Sequence, residues 1–287
     1  MKSWWLTAIL FMLSSAPALA DQTFYSHKVD TPPVIDGKAD DPAWTKATPV
    51  ITTDLVTGVK VTLKSVYTQD QIFMLVQFPD EIEHREHKTL LWDKESREYV
   101  VGPKREDTFV FKWNMDGSPI DLSLTSDTPN KTDVWYWKAN RTDPMGYADD
   151  KMDIYSASSL PQSKKIISKK GLLFYLVRLG DSGKAAYDGA VYDEFVKPEM
   201  PGFITQQPDG SRADIRAKGL WQNKIWSVEF ARKLQTGHLD DVQLETNKTY
   251  AFGISINEIA GRAKEPSIEN PYFGSGEVGE LLTLTFK

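Results

Sequence analysis

The chain has 287 residues, of which 26% are charged and 40% are hydrophobic; its formal net charge is −6, and it contains no cysteine. The missing cysteines exclude disulfides, thiolate metal sites, iron–sulfur clusters and covalently attached c-type haem. The mild acidity and the lack of a polybasic run make nucleic acid and anionic membranes poor partners.

The first 20 residues have the features of a secretory signal peptide. Lys2 precedes an apolar run over residues 4–13, and Ala18-Leu19-Ala20 forms an A-x-A cleavage site. The run is shorter than the roughly 20 apolar residues of a spanning helix, and no later segment approaches that length. We therefore expect cleavage after Ala20, export to the periplasm without a membrane span, and one domain over residues 21–287.

A compact motif follows the first predicted strand. Residues 32–44 predict an extended segment, an Asp36-Gly37 turn and a short helical turn, which Asp40 or Asp41 caps before Pro42. Trp44 would then pack onto a sheet. The pattern I-D-G-x-x-x-D-x-x-W resembles the opening of carbohydrate-binding family 9 modules and their relatives with DOMON-like sandwiches.

Alternating and continuous apolar runs predict nine or ten strands, and long amphipathic helical patterns are absent. The predicted strands cover residues 24–29, 59–66, 72–78, 107–113, 131–139, 172–179, 215–219, 225–231, 249–257 and 281–286. Residues 79–101 and 151–168 are predicted loops, and residues 180–212 form a long excursion of the kind that is often functional. Together they predict an all-β fold, a single β-sandwich with immunoglobulin-like layering and long loop insertions.

The stretch VWYWKANRTDPMGYADD begins as a strand and ends as a polar turn. Trp135 and Trp137 fall on the same side of an extended chain, and Lys138 and Arg141 follow at its exit. Two indoles beside cations suit a flat aromatic ligand with charged edges. The alternative is that the indoles are sandwich core and the charges a solvated rim. The closing Asp149-Asp150 pair suggests calcium, but the ligand spacing of an EF-hand is absent.

The same stretch contains W-x-W-K-A-x-R-T-x-P-x-G-Y-A-D-D, which resembles the signature of the ethylbenzene-dehydrogenase-related haem-binding domain family. That family includes gamma subunits of dimethyl-sulfoxide-reductase-type molybdenum enzymes and cytochrome c-552-like proteins. Further segments that match in order are residues 87–93, 106–109, 210–221, 228–238 and 276–281. Together the matches extend over most of residues 36–286.

The resemblance implies a β-sandwich that holds one non-covalent haem b between its sheets. In the gamma subunits a Met and a Lys coordinate the iron, and the matching positions here are Met115 and Lys264. A lysine can coordinate only as a neutral amine, which burial makes possible by lowering its pKa. His87 is the rival ligand, because neutral imidazole is the commonest nitrogen ligand of haem iron.

Other residues near the signature are candidate contacts of the haem. Lys138, Arg141 and Arg212 could pair with its propionates, since Arg binds carboxylates bidentately. They could equally form structural salt bridges with neighbouring aspartates. Met145 could reach a pocket from its turn, and the two indoles either line the haem or belong to the core.

The resemblance implies an exported electron-transfer protein or subunit that is not itself an enzyme. Its partner would be a molybdenum oxidoreductase or a c-type cytochrome, and its mild acidity could assist docking. Two alternatives stay open from the sequence. One is a sugar-binding module of the family 9 type, whose indoles stack on pyranose rings. The other is a family member that has lost haem and serves as a scaffold.

Overall fold

The computed structural model describes residues 22–117, 121–256 and 278–287. These residues form no α-helix, and no helix among them is long and apolar enough to cross a membrane. The strands are β1 (Gln22–Lys28), β2 (Val50–Thr53), β3 (Lys60–Tyr67), β4 (Gln71–Pro79), β5 (Leu90–Asp93), β6 (Glu98–Val101), β7 (Thr108–Asn114), β8 (Asn130–Lys138), β9 (Asp149–Ser156), β10 (Lys164–Ile167), β11 (Leu173–Gly180), β12 (Tyr187–Gly189), β13 (Glu199–Met200), β14 (Phe203–Thr205), β15 (Arg216–Gln222), β16 (Ile225–Lys233), β17 (Thr249–Ile256) and β18 (Leu282–Phe286). The predicted all-β class is confirmed.

One continuous sheet folds over on itself to make a sandwich. Its strand order is β10-β11-β9-β8-β7-β17-β18-β1-β3-β4-β16-β15, with β2 paired to β3. Strand β1 pairs in parallel with both β18 and β3 and so links the two halves. The halves face each other, because Phe111 of β7 meets Phe230 of β16 at 5.2 Å and Trp137 of β8 meets Trp226 of β16 at 4.8 Å between ring centroids.

The space between the two layers is filled by large apolar side chains. On β7 the alternating residues Phe109, Phe111 and Trp113 are fully buried, as period-two alternation requires of an inward face. Ring contacts continue from Trp113 to Phe252 at 4.5 Å and to Trp135 at 5.1 Å. Among the described residues, the middle of the sandwich is therefore a packed core.

The predicted opening motif docks on the outside of β16. Gly37 forms the expected turn at φ +85°, where an added Cβ would lie 2.7 Å from the backbone nitrogen of Leu220. The buried carboxylate of Glu229 accepts hydrogen bonds from Trp44 Nε1 at 2.8 Å, Gly37 N at 2.8 Å and Asp36 N at 3.0 Å. One buried acid from a distant strand thus holds both ends of the motif.

Two local predictions need correction. The predicted helical turn is present as a 3-10 turn over Pro42–Thr45, but Asp41 makes no side-chain capping bond and accepts instead from Val34 N at 3.1 Å. The predicted loop over residues 151–168 contains most of β9 and all of β10. Both were missed because polar residues interrupt the apolar alternation.

The remaining loop predictions were also too coarse. Residues 79–101 contain the β5–β6 hairpin, and the long excursion contributes β12, β13 and β14. These short strands make two small sheets, β13-β5-β6 and β12-β14. The prediction of nine or ten strands was therefore too low, since the described residues form 18.

Candidate functional site at the β8–β9 end of the sandwich

The signature loop between β8 and β9 is folded around the buried carboxylate of Asp143. This carboxylate accepts from Trp137 Nε1 at 3.0 Å, Gly219 N at 2.6 Å, Arg85 Nη1 at 2.8 Å and Lys218 Nζ at 3.2 Å. The bond from the indole places the loop against the core, and the two cations compensate the buried negative charge. The loop is thereby held in one position relative to both layers.

A second buried carboxylate, Asp149, gathers two of the predicted cations. Lys138 is 2% exposed, and its Nζ donates to Asp149 at 2.5 Å and to the hydroxyl of Tyr187 at 2.9 Å. Arg212 pairs with the other oxygen of Asp149. Burial favours the neutral acid, but Lys138 and Arg212 outweigh it and hold the pKa of Asp149 below its ordinary value.

The third predicted cation, Arg141, is held by Glu106. The Glu106 carboxylate is buried and accepts from the Arg141 guanidinium, from Arg141 N at 3.0 Å and from Asn140 N at 2.6 Å. The guanidinium also lies 5.1 Å from the ring centroids of both Tyr187 and Phe203. These contacts combine an ion pair with two cation–π interactions.

Each cation that was predicted to pair with haem propionates therefore already has a buried carboxylate partner. Lys138 and Arg212 share Asp149, and Arg141 has Glu106. The geometry favours the alternative prediction of structural salt bridges, because a propionate at this position would have to compete with these acids.

His87 lies beside this network on the segment before β5. Its side chain is 11% exposed, its Nδ1 lies 3.4 Å from Glu106 Oε1, and its ring centroid lies 5.6 Å from that of Phe203. Burial, followed by the charge of Arg141, lowers the pKa of His87 to about 2. The imidazole is therefore neutral at physiological pH, which is the form that coordinates metal ions.

A cavity of about 300 Å³ opens next to His87. It is lined by Glu86, His87, Thr89, Asn140, Lys197, Glu199, Met200, Pro201 and Gly202. Gly202 allows a close approach here, since an added Cβ would collide with the carbonyl of Lys88. His87, with an imidazole, and Met200, with a thioether, both line this cavity.

Sequence reasoning missed Met200. The sequence does show a methionine in the Pro198-Glu199-Met200-Pro201-Gly202 run of the long excursion. Nothing in the neighbouring sequence indicates that this run lies close to His87. The connection comes from the pairing of β13 with β5, which follows His87 closely in the chain.

The other predicted ligands and contacts lie elsewhere. Trp135 and Trp137 are fully buried in the core, in agreement with the alternative prediction for them. Met145 is half-buried in the 3-10 turn of the signature loop, and Lys264 lies outside the described residues.

Met115 is half-buried just after the end of β7, whereas Glu106, the neighbour of His87, lies just before its start. A strand of this length spans roughly 20 Å, so the structure does not bring Met115 and His87 together.

These observations define a β-sandwich domain with a loop-built site at one end, where buried ion pairs support a small cavity. Residues 41–258 match the family described as ethylbenzene dehydrogenase, and the chain belongs to that family. A comparison with curated protein sequences finds no match.

Two solved structures of a family 9 carbohydrate-binding module from Caldicellulosiruptor kristjanssonii are similar to this chain at low identity. The complex with cellotriose shares 10% identity at a TM-score of 0.42, covering 93% of this chain and 95% of that chain. The complex with glucose shares 9% identity at a TM-score of 0.40, covering 92% and 96%.

Proposed function

We propose that this protein is an exported electron-transfer protein or subunit that binds one haem b without a covalent bond and is not itself an enzyme. The observation that carries the proposal is its membership of the ethylbenzene dehydrogenase family over residues 41–258. Its partner would be a molybdenum oxidoreductase or a c-type cytochrome of the periplasm. Its net charge of −6 supports docking to a basic partner surface.

The donor chemistry of the cavity beside His87 fits a haem iron. A neutral imidazole and a thioether coordinate iron in cytochromes, and the cavity offers both through His87 and Met200. Between the layers, by contrast, large apolar side chains pack against one another. We therefore place the iron at the loop-built end of the sandwich.

The size of the cavity matters for the exposure of the cofactor. About 300 Å³ is at the lower limit of small-molecule sites, so a macrocycle held here would keep one edge in solvent. An exposed edge suits the transfer of single electrons to a docked partner, which is the chemistry that haem supplies when bound. His87 and Met200 would hold the iron, and Glu106 would keep the imidazole in place.

The family resemblance favours a different ligand pair, Met115 with Lys264. Met115 lies at the far end of β7 from His87, and Lys264 lies outside the described residues. The two assignments predict different variants to be sensitive, which makes them separable.

The experiment is a titration of the purified mature protein with hemin, followed by absorbance in the oxidised and reduced states. We expect a Soret band that saturates at one haem per chain. His87→Ala should weaken haem affinity at least about tenfold, because it removes an axial nitrogen. Met200→Leu preserves volume and should keep the haem but shift the spectrum and lower the potential, since Met ligation raises it.

His27→Ala is the matched control, since His27 lies on β1 and hydrogen-bonds Thr48 away from the cavity. It should behave as the wild type. If Met115→Leu and Lys264→Ala change the spectrum and His87→Ala does not, the family pair holds the iron. A protein that takes up no hemin would refute the haem proposal and leave the scaffold alternative.

Sugar binding is the second candidate. The indoles predicted to stack on pyranose rings, Trp135 and Trp137, are fully buried and present no free face. A half-exposed aromatic cluster elsewhere could replace them: Trp92 meets Tyr99 at 5.1 Å and Phe195 at 5.3 Å. Calorimetry with cello-oligosaccharides tests this function, and Trp92→Ala should abolish any heat of binding that is found.

A further inference from the structure

A second cluster of buried acids lies on the other side of β9 from the Lys138–Asp149 pair. Asp133 on β8, Asp150 on β9 and Asp241 in the loop after β16 are each at most 4% exposed. One oxygen from each of the three carboxylates lies within 4.8 Å of the other two. Two oxygens on opposite sides of one calcium ion are roughly 4.6–5.2 Å apart, so the spacing fits a shared cation.

The environment of Asp150 distinguishes this group from an ordinary cluster of acidic residues. Its side chain is fully buried, and neither oxygen has a hydrogen-bond donor among the described residues. The group that approaches it is another carboxyl, that of Asp181, whose backbone nitrogen donates to the carbonyl of Asp150. A buried carboxylate without a donor is costly and calls for a positive partner.

The protein supplies too little positive charge for this cluster. Arg232 is the buried cation that faces it among the described residues, and its guanidinium is occupied by Asp133 at 2.6 Å and by the carbonyl of Val242. Asp241 lies 3.6 Å from the same guanidinium and 3.9 Å from the half-exposed ring of His238, whereas Asp150 and Asp181 form no ion pair with the described residues.

We propose that Asp133, Asp150 and Asp241 bind one calcium ion, with Asp181 as a further ligand. All the donors are carboxylate oxygens, which hard cations prefer. Calcium fits better than magnesium, because magnesium gives up its water reluctantly and the cluster is buried. The ion would join two strands to the loop after β16 and to the start of the long excursion.

A neighbouring group of side chains provides an internal control. Asp214, His238 and Asp241 also lie close enough to hold an ion, but His238 Nδ1 is already paired with Asp214 at 2.5 Å. That contact occupies the ring nitrogen that faces the group, so the nitrogen is not free to bind a metal ion. This more exposed triad needs no added cation.

The test uses the mature protein without haem, so that it is independent of the proposed cofactor. After treatment with chelator, calorimetry with CaCl₂ should show one site per chain. The Tm should rise by about 5 °C when calcium reaches 100 times its Kd. Terbium should replace calcium and luminesce on tryptophan excitation, because Trp135 pairs with Asp150 across β8 and β9.

Asp150→Asn should abolish the Tm shift and the terbium signal, while Asp214→Asn, the matched control, should keep both. Several results would overturn the proposal. One is a wild type that takes up no calcium at 1 mM, by calorimetry and elemental analysis, and has the same Tm in chelator. Another is loss of binding in Asp214→Asn but not in Asp150→Asn. An equal response to magnesium would overturn the assignment to calcium.

Discussion

Replacing Glu229 by Gln tests how burial and hydrogen bonding compete at the acid that holds the opening motif. Three N–H groups donate to this carboxylate, which by itself favours the charged form. Burial acts in the opposite direction and raises the pKa of Glu229 from 4.5 to about 7. Gln has a similar shape but cannot ionise; its amide nitrogen cannot accept a hydrogen bond, so the variant loses at least one of the three bonds. That loss does not depend on pH, so the pH dependence isolates the effect of the charge.

The sign and the size follow from linkage. A carboxyl whose pKa is higher in the folded state contributes stability that is complete below pH 4.5 and is lost as the pH rises through 7. The full shift corresponds to roughly 3 kcal/mol. Between pH 5 and 8.5 the wild type should therefore lose about 2.5 kcal/mol relative to Glu229→Gln.

The assay is urea denaturation of both proteins at pH 5 and pH 8.5, with the free energy of unfolding extrapolated to water. Other acids change stability in both proteins alike, so the difference between the two proteins isolates Glu229. Glu95→Gln is the control, since Glu95 is exposed and its pH dependence should equal that of the wild type. If Glu229→Gln instead becomes relatively less stable at pH 8.5, the three donors outweigh burial and the reasoning fails.

Three further variants probe the site and its support. Between pH 7 and pH 4, the free energy of unfolding of His87→Gln should fall by roughly 2–3 kcal/mol less than that of the wild type. The pKa of His87 in the folded state is lowered to about 2, so the wild type loses stability as the pH falls below 6.5. Denaturation at both pH values measures this, and equal losses would contradict it. Lys138→Met should lower the free energy of unfolding by about 3 kcal/mol, because the buried carboxylate of Asp149 would keep Arg212 as its one cationic partner. A loss below about 1 kcal/mol would show that the ion pair of Lys138 is dispensable for stability. Gly219→Ala should lower the free energy of unfolding by about 1–3 kcal/mol, because the added methyl group would collide with the ring of Trp137. Gly189→Ala, where the added methyl group meets no other atom, should be nearly neutral. Thermal unfolding compares the two variants, and equal effects would refute the packing argument.

The sequence predicted elements whose cause is local. Strands β4 and β16 begin and end within a few residues of their predicted bounds. The Asp36-Gly37 turn followed from residue types that favour such turns, and the structure confirms it at φ +85° for Gly37. Local chemistry and tertiary structure agree at these places.

Strand β9 was missed because most of its buried positions, on both of its faces, carry carboxylates. Asp149, Asp150 and Asp153 are buried on it, and each depends on groups from other strands or loops. The period-two pattern used to predict strands is a pattern of apolar residues, so it does not detect a strand whose buried positions carry charges. The pairing of β8 with β9 supplies the missing context, since Trp135 lies opposite Asp150 and Val134 opposite Lys151.

Partners that are distant in sequence could not be predicted either. Glu229 lies 185 residues from Trp44, and nothing in either segment specifies the other. The same holds for the acids of the proposed calcium site, which come from β8, β9 and the loop after β16. Such clusters exist only after the strand order is fixed.

The family signature itself has a structural explanation in this chain. Its second Trp donates to Asp143, its Lys pairs with Asp149, and its Arg pairs with Glu106. These bonds shape one end of the sandwich, so the signature residues have a structural role in this chain. Binding specificity must come from what the scaffold positions, and Glu106 connects the two because it contacts both Arg141 and His87. Under the haem proposal, His87 and Met200, rather than the signature residues, would bind the iron, so variants of these two residues separate haem binding from folding.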